Sequence, residues 1–390
     1  MTEAFRQEVE TFFDETLPAA MEGVTGEVNR ARAWRKALYD AGLGALDYPA
    51  AYGGRDDDGS LKGIYTEVSR GRVPRADAVF GIGVGMALPT IRDMASDDLK
   101  ERFLRKGLRG EEIWCQLYSE PGSGSDLASL STKAVLDGDE WVVSGQKVWT
   151  SGAQNSQLGI LLARTDQDAP KHAGITMLVL PMEQPGVTVR PLRQMTGEAE
   201  FNEVFIDEAR IPKDWVVGEV NAGWRTAVAL LAHERVQTGV ASMNQAGGQR
   251  SKAGRVPIPV SQLIELARLK GRTDDPLVRQ ELARLYTGEQ VVGYLRDLGT
   301  HPSIGKLWRT IQGRAAAELA VSLAFPASPA WEEGNVDDDY FAYHFLNCRG
   351  MSMGGGTDEI QRNTLGERAL GLPREPGVDK NTPFKDLLKS

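Results

Sequence analysis

The sequence predicts an α+β fold in three parts. These are an N-terminal helical domain over residues 1–113, a central β-domain over 114–212, barrel or sandwich, and a C-terminal helical bundle over 213–390. Three observations predict it. Apolar residues recur at helical spacing before residue 113. Short strand-like runs separated by Gly, Pro and Asp turns fill 114–212. Helical spacing returns from about Ala222 and persists nearly to the end. A chain of 390 residues can bury two or three such cores, and with 41% hydrophobic and 25% charged residues its composition is that of a globular protein.

In the first part, Phe5, Val9, Phe12 and Phe13 share one helical face, and so do Trp34, Leu38 and Gly42. Pro18 is expected to end the first helix near Leu17. Tyr52-Gly53-Gly54 reads as a turn and residues 55–59, with three aspartates, as a solvated loop. The alternating Gly81, Gly83 and Gly85 fit tight helix packing at least as well as a phosphate loop, because no lysine follows them. Residues 96–108 form a charged amphipathic helix with Leu99, Phe103 and Leu104 inward.

The central part opens on an apolar run at 113–118 that leads into a turn rich in Gly, Ser and Pro at 119–126. Trp141-Val142-Val143 is strand-like between two turn signals, Asp137-Gly138-Asp139 and Ser144-Gly145. Further strands are expected at 158–162, 175–180, 187–189 and 202–206. In the third part, helices are expected at 224–245, 261–270, 277–298, 303–323 and 358–370. Loops are expected at 247–259 and 325–339, and a Gly-Gly-Gly-Thr turn at 351–357.

The net charge of −9 argues against nucleic acid or an anionic membrane as the main partner. No apolar run approaches a membrane span, and no secretory signal heads the chain. Cys115 and Cys348 read as buried free thiols in a reducing compartment, the cytoplasm. With His172, His233, His301 and His344 they build no metal spacing, so no metal is expected.

Two segments carry chemistry. Gly122 and Gly124 let backbone N–H groups approach a ligand, and the hydroxyls of Ser119, Ser123 and Ser125 add donors. Lys147-Val148-Trp149-Thr150-Ser151 sets a large ring beside hydroxyls, which suits a flat heterocycle such as a flavin. A β-hairpin with an ordinary polar turn is the other reading of the same residues.

Six stretches in order resemble the acyl-CoA dehydrogenases: AGLGALDYPAAYGG (41–54), LYSEPGSGSD (117–126), GQKVWTSGA (145–153), RQMTGEAEFNEVFIDEARIP (193–212), GEVNAGWRTA (218–227) and GTDEIQRN (356–363). The resemblance implies FAD against the β-domain, contacted by Gln116, Tyr118, Ser119, Gly124, Ser125, Trp149, Thr150, Ser151, Thr357 and Glu359. Counted from Lys147, Ser151 matches the threonine that donates to flavin N5; a slip of one residue gives that role to Thr150.

The implied reaction is α,β-dehydrogenation of an acyl-CoA thioester to the trans-2-enoyl-CoA. It needs a carboxylate to take the α-proton while hydride leaves the β-carbon. Most of the family carries that base just before the last helix, where this chain has Gly355, which has no side chain to serve as one. Others carry it in a Leu-x-x-Glu-Arg pattern, matched by Leu231-Ala232-His233-Glu234-Arg235, so the base is Glu234. Ser125, His233, Arg235, Gly355 and Gly356 fall where the family meets the acyl-CoA.

The resemblance also implies an electron-transfer flavoprotein as acceptor. The Arg-x-x-Phe-Gly and Gln-x-x-Gly-Gly-x-Gly elements that normally reach a neighbour's FAD are missing or reduced. Such departures resemble actinobacterial members acting on bulky or steroid side-chain thioesters, and the assembly is expected to be a homo-oligomer or a hetero-oligomer with a related chain. Two alternatives share the fold: a flavin monooxygenase or oxidase, and an FAD-poor structural subunit.

Overall fold

The computed structural model describes residues 2–244, 257–326, 336–374 and 381–387. The chain divides into two compact units: Met1–Arg193 with Ala199–Glu234 and Gly377–Ser390, and Arg235–Pro376 with Gln194–Glu198.

The first unit begins with helices α1 (Thr2–Thr11), α2 (Leu17–Met21), α3 (Glu27–Asp40), α4 (Ser60–Val68), α5 (Leu88–Met94) and α6 (Asp97–Arg109). Phe5, Val9, Phe12, Phe13, Trp34 and Leu38 bury together, as their spacing requires. Pro18 does not end the first helix. A π-helical turn at Phe12–Thr16 leads into α2, and Pro18 falls in the first turn of that segment, where the wider turn accommodates it. The glycine-rich run packs rather than binds: a Cβ on Gly83 would meet the Trp114 ring at 3.2 Å. Helix α6 is capped by Ser96, whose side chain accepts from the Leu99 N–H, and it buries Leu99, Phe103 and Leu104.

Seven strands form one curled mixed sheet: β1 (Trp114–Leu117), β2 (Lys133–Asp137), β3 (Glu140–Ser151), β4 (Leu158–Arg164), β5 (Ile175–Pro181), β6 (Val187–Leu192) and β7 (Phe201–Pro212). The pairing order is β1-β4-β2-β3-β7-β6, with β5 also on β4. Strand β4 is buried along its whole length. Leu158, Ile160 and Leu162 point to the helical layer, while Leu161 and Ala163 point into the curl of the sheet. Its apolar residues are therefore continuous rather than alternating.

Ser144-Gly145 is not a turn. Strand β3 runs through it, with a register shift against β7 between Val143 and Gly145. Gly145 is needed because a Cβ there would lie 2.7 Å from the Thr132 Cα.

Helix α7 (Gly223–Asn244) follows, and its first half, through Glu234, belongs to the sheet unit. The second unit contains α8 (Val260–Leu269), α9 (Pro276–Asp297), α10 (Pro302–Ala324), α11 (Val336–Met351) and α12 (Asp358–Thr364). Helix α11 starts where a loop is expected, at Val336-Asp337-Asp338-Asp339. Acidic residues that read as a solvated run are also what the positive end of a helix dipole favours. Residues 327–335 of that expected loop, and 247–256 of the expected loop at 247–259, lie outside the described residues. Among the described residues no helix is long and apolar enough to cross a membrane.

Candidate active site

Strands β1 and β2 meet the same edge of β4, the first along Leu158–Leu161 and the second at Arg164. The segment between them, 118–132, is therefore an excursion from one line of the sheet. Glu120 ties its two ends. The carboxylate accepts from the backbone N–H groups of Ser131 at 2.7 Å and Thr132 at 2.9 Å, and from the Ser131 hydroxyl at 2.9 Å. Lys147 reaches it from β3, with Nζ 2.9 Å from Glu120 Oε1 and 3.0 Å from the Tyr118 carbonyl.

Both ends of this ion pair are buried, Lys147 at 0% exposure and Glu120 at 6%. Burial alone would raise the Glu120 carboxyl; Lys147 and the donors of Thr132 and Ser131 outweigh it and hold it at about 2. Burial lowers the Lys147 ammonium, and Glu120 opposes that shift.

Arg164 seals the base of the excursion. Its Nη2 donates to the Ala128 carbonyl at 2.6 Å, and its guanidinium lies 3.7 Å from the centre of the Phe384 ring. Burial pulls this arginine down to about 10. Phe384 belongs to a C-terminal segment that returns to the sheet unit, bonding its N–H to the Ala169 carbonyl. Sequence reasoning assigned Glu120, Lys147 and Arg164 no role. The available signal was a lysine and an arginine inside strand-like apolar runs, where only a paired charge is tolerated.

The predicted site residues sort differently along this frame. Gln116 and Ser119 are half-buried, and Gly124 and Ser125 are exposed on the turn, with open space around the Gly124 Cα. The Ser123 hydroxyl is not a ligand donor: it turns inward and donates to the carbonyls of Asp126 and Leu127. Tyr118 is buried and its hydroxyl has no partner.

Between Lys147 and Thr150, β3 uses one more residue than β7, a bulge. Trp149 takes the bulge position with φ of +61°, a left-handed backbone rare for a large side chain, and stands 57% exposed. Its ring meets Phe201 edge-on at 5.8 Å. Thr150 points the other way, at 0% exposure and with an unpartnered hydroxyl, while Ser151 is half-buried. Trp149 and Ser151 thus share the open face, and Thr150 does not.

Helix α7 brings Ala227, Leu230 and Leu231 into the apolar cluster that also holds Tyr118, Leu127 and Leu130. Glu234 is the next residue on that stripe and is half-buried. Its charge is felt at Tyr118: burial and then the Glu234 carboxylate push that phenol well above its ordinary range. The His233 Nε2 lies 3.0 Å from Asp93 Oδ2, tying α7 to α5. The Arg235 side chain lies outside the described residues.

In the second unit, Gly355 and Gly356 take left-handed φ of +66° and +81°. The Thr357 hydroxyl caps α12, accepting from the Ile360 N–H at 3.2 Å, and Glu359 is exposed beside Arg362. A cavity of about 450 Å³ beyond the end of β3 includes Gln154, Asn155, Glu183 and Asn202 in its lining; no predicted site residue lines it.

Comparison with known proteins places this geometry. The acyl-CoA dehydrogenase N-terminal domain matches residues 1–111 and the acyl-CoA dehydrogenase middle domain matches 115–209. The chain is 39% identical to acyl-CoA dehydrogenase IpdE1 of Mycobacterium tuberculosis over 392 residues, covering 96% of this chain and 98% of that protein. The solved structure described as Tcur3481-Tcur3483 steroid ACAD superposes with a TM-score of 0.74 at 26% identity, over 96% of this chain and 98% of that one. The ChsE4-ChsE5 complex from Mycobacterium tuberculosis does so with a TM-score of 0.70 at 28% identity, again over 96% and 98%.

The buried pair predicts a stability pattern. Lys147→Met strands the Glu120 charge and should cost about 3–5 kcal/mol of unfolding free energy in urea, whereas Lys147→Met with Glu120→Gln should recover much of it. Because the folded Glu120 carboxyl sits below its unfolded value, its contribution is complete above about pH 4.5 and is lost as pH falls toward about 2. Equal stability of the single and double variants would mean the pair does not act as a unit.

Proposed function

The chain belongs to the acyl-CoA dehydrogenase family and is an acyl-CoA dehydrogenase; we propose that it converts an acyl-CoA to the trans-2-enoyl-CoA with Glu234 as the base and FAD as the hydride acceptor. The observation that carries the assignment of the base is the α7 stripe. Glu234 continues the stripe of Ala227, Leu230 and Leu231, which enter an apolar cluster, and its charge acts on a buried phenol of that cluster.

The residues on the sheet fit a flavin. A large ring held out on a left-handed backbone at Trp149, a half-buried hydroxyl at Ser151, and open space at Gly122 and Gly124 of the turn support that fit. Trp149 and Ser151 would hold the ring system, Gln116 and Ser119 its neighbouring edge, and the turn at Gly124 and Ser125 the more polar part. In the second unit, Thr357 and Glu359 remain the proposed FAD contacts. Bound there, FAD supplies the acceptor for the hydride lost from the β-carbon.

The rest is work for the chain. Glu234 takes the α-proton, and the electron pair left behind forms the new double bond as the β-hydride departs. The apolar cluster that holds Leu127, Leu130, Leu230 and Leu231 borders the helix face that carries Glu234. Ser125, His233, Arg235, Gly355 and Gly356 remain the proposed contacts to the acyl-CoA, with His233 already engaged by Asp93. An electron-transfer flavoprotein is the proposed onward acceptor. Two buried free cysteines suit the reducing cytoplasm. The steroid label of one structural relative and the two-component complex of another favour a bulky acyl group and a paired assembly here too.

Three outcomes test this reading. Glu234→Gln should retain FAD and bind acyl-CoA while turnover falls about 10²–10⁴-fold, the usual contribution of a general base. Normal dehydrogenation by that variant removes Glu234 from the mechanism.

Ser151→Ala should make the bound flavin harder to reduce, by the equivalent of about 0.5–1.5 kcal/mol for one hydrogen bond, and Thr150→Val should not. The reverse ranking in a potentiometric titration would give the donor role to Thr150.

The chain expressed alone should hold FAD only as an oligomer, with retention that falls on dilution. Native mass and flavin absorbance measured together check this. A flavin-loaded monomer refutes the oligomer, and a flavin-free dimer identifies a missing second chain.

A further inference from the structure

Tyr118 remains among the proposed FAD contacts, but its hydroxyl is a buried polar group near α7 that no step of the mechanism above uses. It directly follows β1, on the face that Trp114 also presents to the helical layer, while Cys115 and Leu117 point into the curl of the sheet. The residue is 5% exposed and its hydroxyl is shielded from water without a hydrogen-bond partner. A phenylalanine fills the same apolar volume and leaves no donor unpaired. The hydroxyl is therefore the part of this side chain that packing does not explain.

The surroundings of that hydroxyl point to its partner. The cluster around Tyr118 is apolar on the α7 side, with Ala227, Leu230 and Leu231, and the stripe then changes to a carboxylate at Glu234. Other charged groups on α5 and α7 form a separate network. Asp93 on α5 holds His233 of α7 at 3.0 Å and Arg92 at 2.7 Å, and Arg92 also reaches Asp47 and lies over the Tyr48 ring at 4.9 Å. Tyr48 is a second buried phenol of the same cluster with an unpartnered hydroxyl. The one named charge acting on the Tyr118 oxygen is Glu234.

We propose that Tyr118 is a positioning residue for Glu234, its phenol O–H donating to the carboxylate so that the base stays ionised and aimed when an acyl group covers it. The inference rests on Glu234 being the base. A carboxylate that loses water when an acyl chain covers it gains protons more readily. A donor fixed in the wall favours its charged form and opposes that shift. The donor also fixes which oxygen of Glu234 is left to take the α-proton.

The test is the pH profile of flavin reduction in the holoenzyme, with the member of a straight- and branched-chain acyl-CoA panel that best reduces the wild type. Tyr118→Phe should move the acid limb upward by about one pH unit, so that the rate below the limb falls about tenfold relative to the variant's own plateau. Tyr48→Phe, a buried phenol of the same cluster, should leave the limb in place. A wild-type profile for Tyr118→Phe beside an inactive Glu234→Gln overturns the positioning role alone. So does a rise in KM with no movement of the limb, which would make Tyr118 a substrate contact. A fully active Glu234→Gln overturns the base and this inference together.

Discussion

The ion pair between Glu120 and Lys147 is the constraint on which the sheet face of the site depends. It lies where three pieces of chain meet: the end of β1, the start of β2 and the middle of β3. Without it, the fifteen-residue excursion from 118 to 132 would be a long loop closed only by Arg164 and a few backbone bonds, with the entropy of such a loop working against one geometry. An apolar substitute of the same volume could be as stable, since buried pairs seldom outperform good packing. It could not simultaneously hold two backbone N–H groups and a carbonyl in fixed directions. The pair therefore acts on geometry more than on net stability.

That geometry reaches the next strand. Lys147 is locked by Glu120 and the Tyr118 carbonyl, and the Val148 N–H bonds the Ser119 carbonyl at 2.9 Å. With both residues fixed, the extra residue of the bulge has to be accommodated at Trp149. A left-handed backbone at a tryptophan is unfavourable, and it persists because the residues on either side are over-determined. The strain turns the indole to the open face and Thr150 to the closed one. The same network thus sets both the loop and the aromatic platform beside it.

Much of this was legible in the sequence as elements and little of it as interactions. The helical faces of α1, α3 and α6, the strands β4 and β5, and the helices α7 to α10 follow from periodicity, because burial on one face or both leaves its mark on residue order. Pro18 and Ser144-Gly145 misled, since a proline at a first helical turn and a glycine at a bulge use the same letters as a helix stop and a hairpin. Glu120, Lys147 and Arg164 were legible only as charges out of place. The return of Phe384 to Arg164 had no local signal at all: it is a contact between residues more than two hundred positions apart. Glu234 was visible through family resemblance alone, as a glutamate on a helix is otherwise ordinary.

The location of the proposed base follows from the backbone as well as from the family pattern. The turn at 354–357 would be the alternative source of a carboxylate, but Gly355 and Gly356 both sit at left-handed φ. A side chain at either is strained, and at Gly356 its Cβ would come within 2.8 Å of Gln361 Nε2, on a side chain that also donates to the Gly355 carbonyl at 2.8 Å. That turn is built around the absence of side chains, so a glutamate there would have to displace the bond that closes it. On α7 a glutamate costs nothing in backbone terms, because it is a good helix former at a helical position. Its cost there is desolvation beside Leu230 and Leu231, which a turn exposed to water would not impose. The acceptor is therefore proposed where the backbone tolerates a side chain, and the glycine turn keeps the bond that closes it.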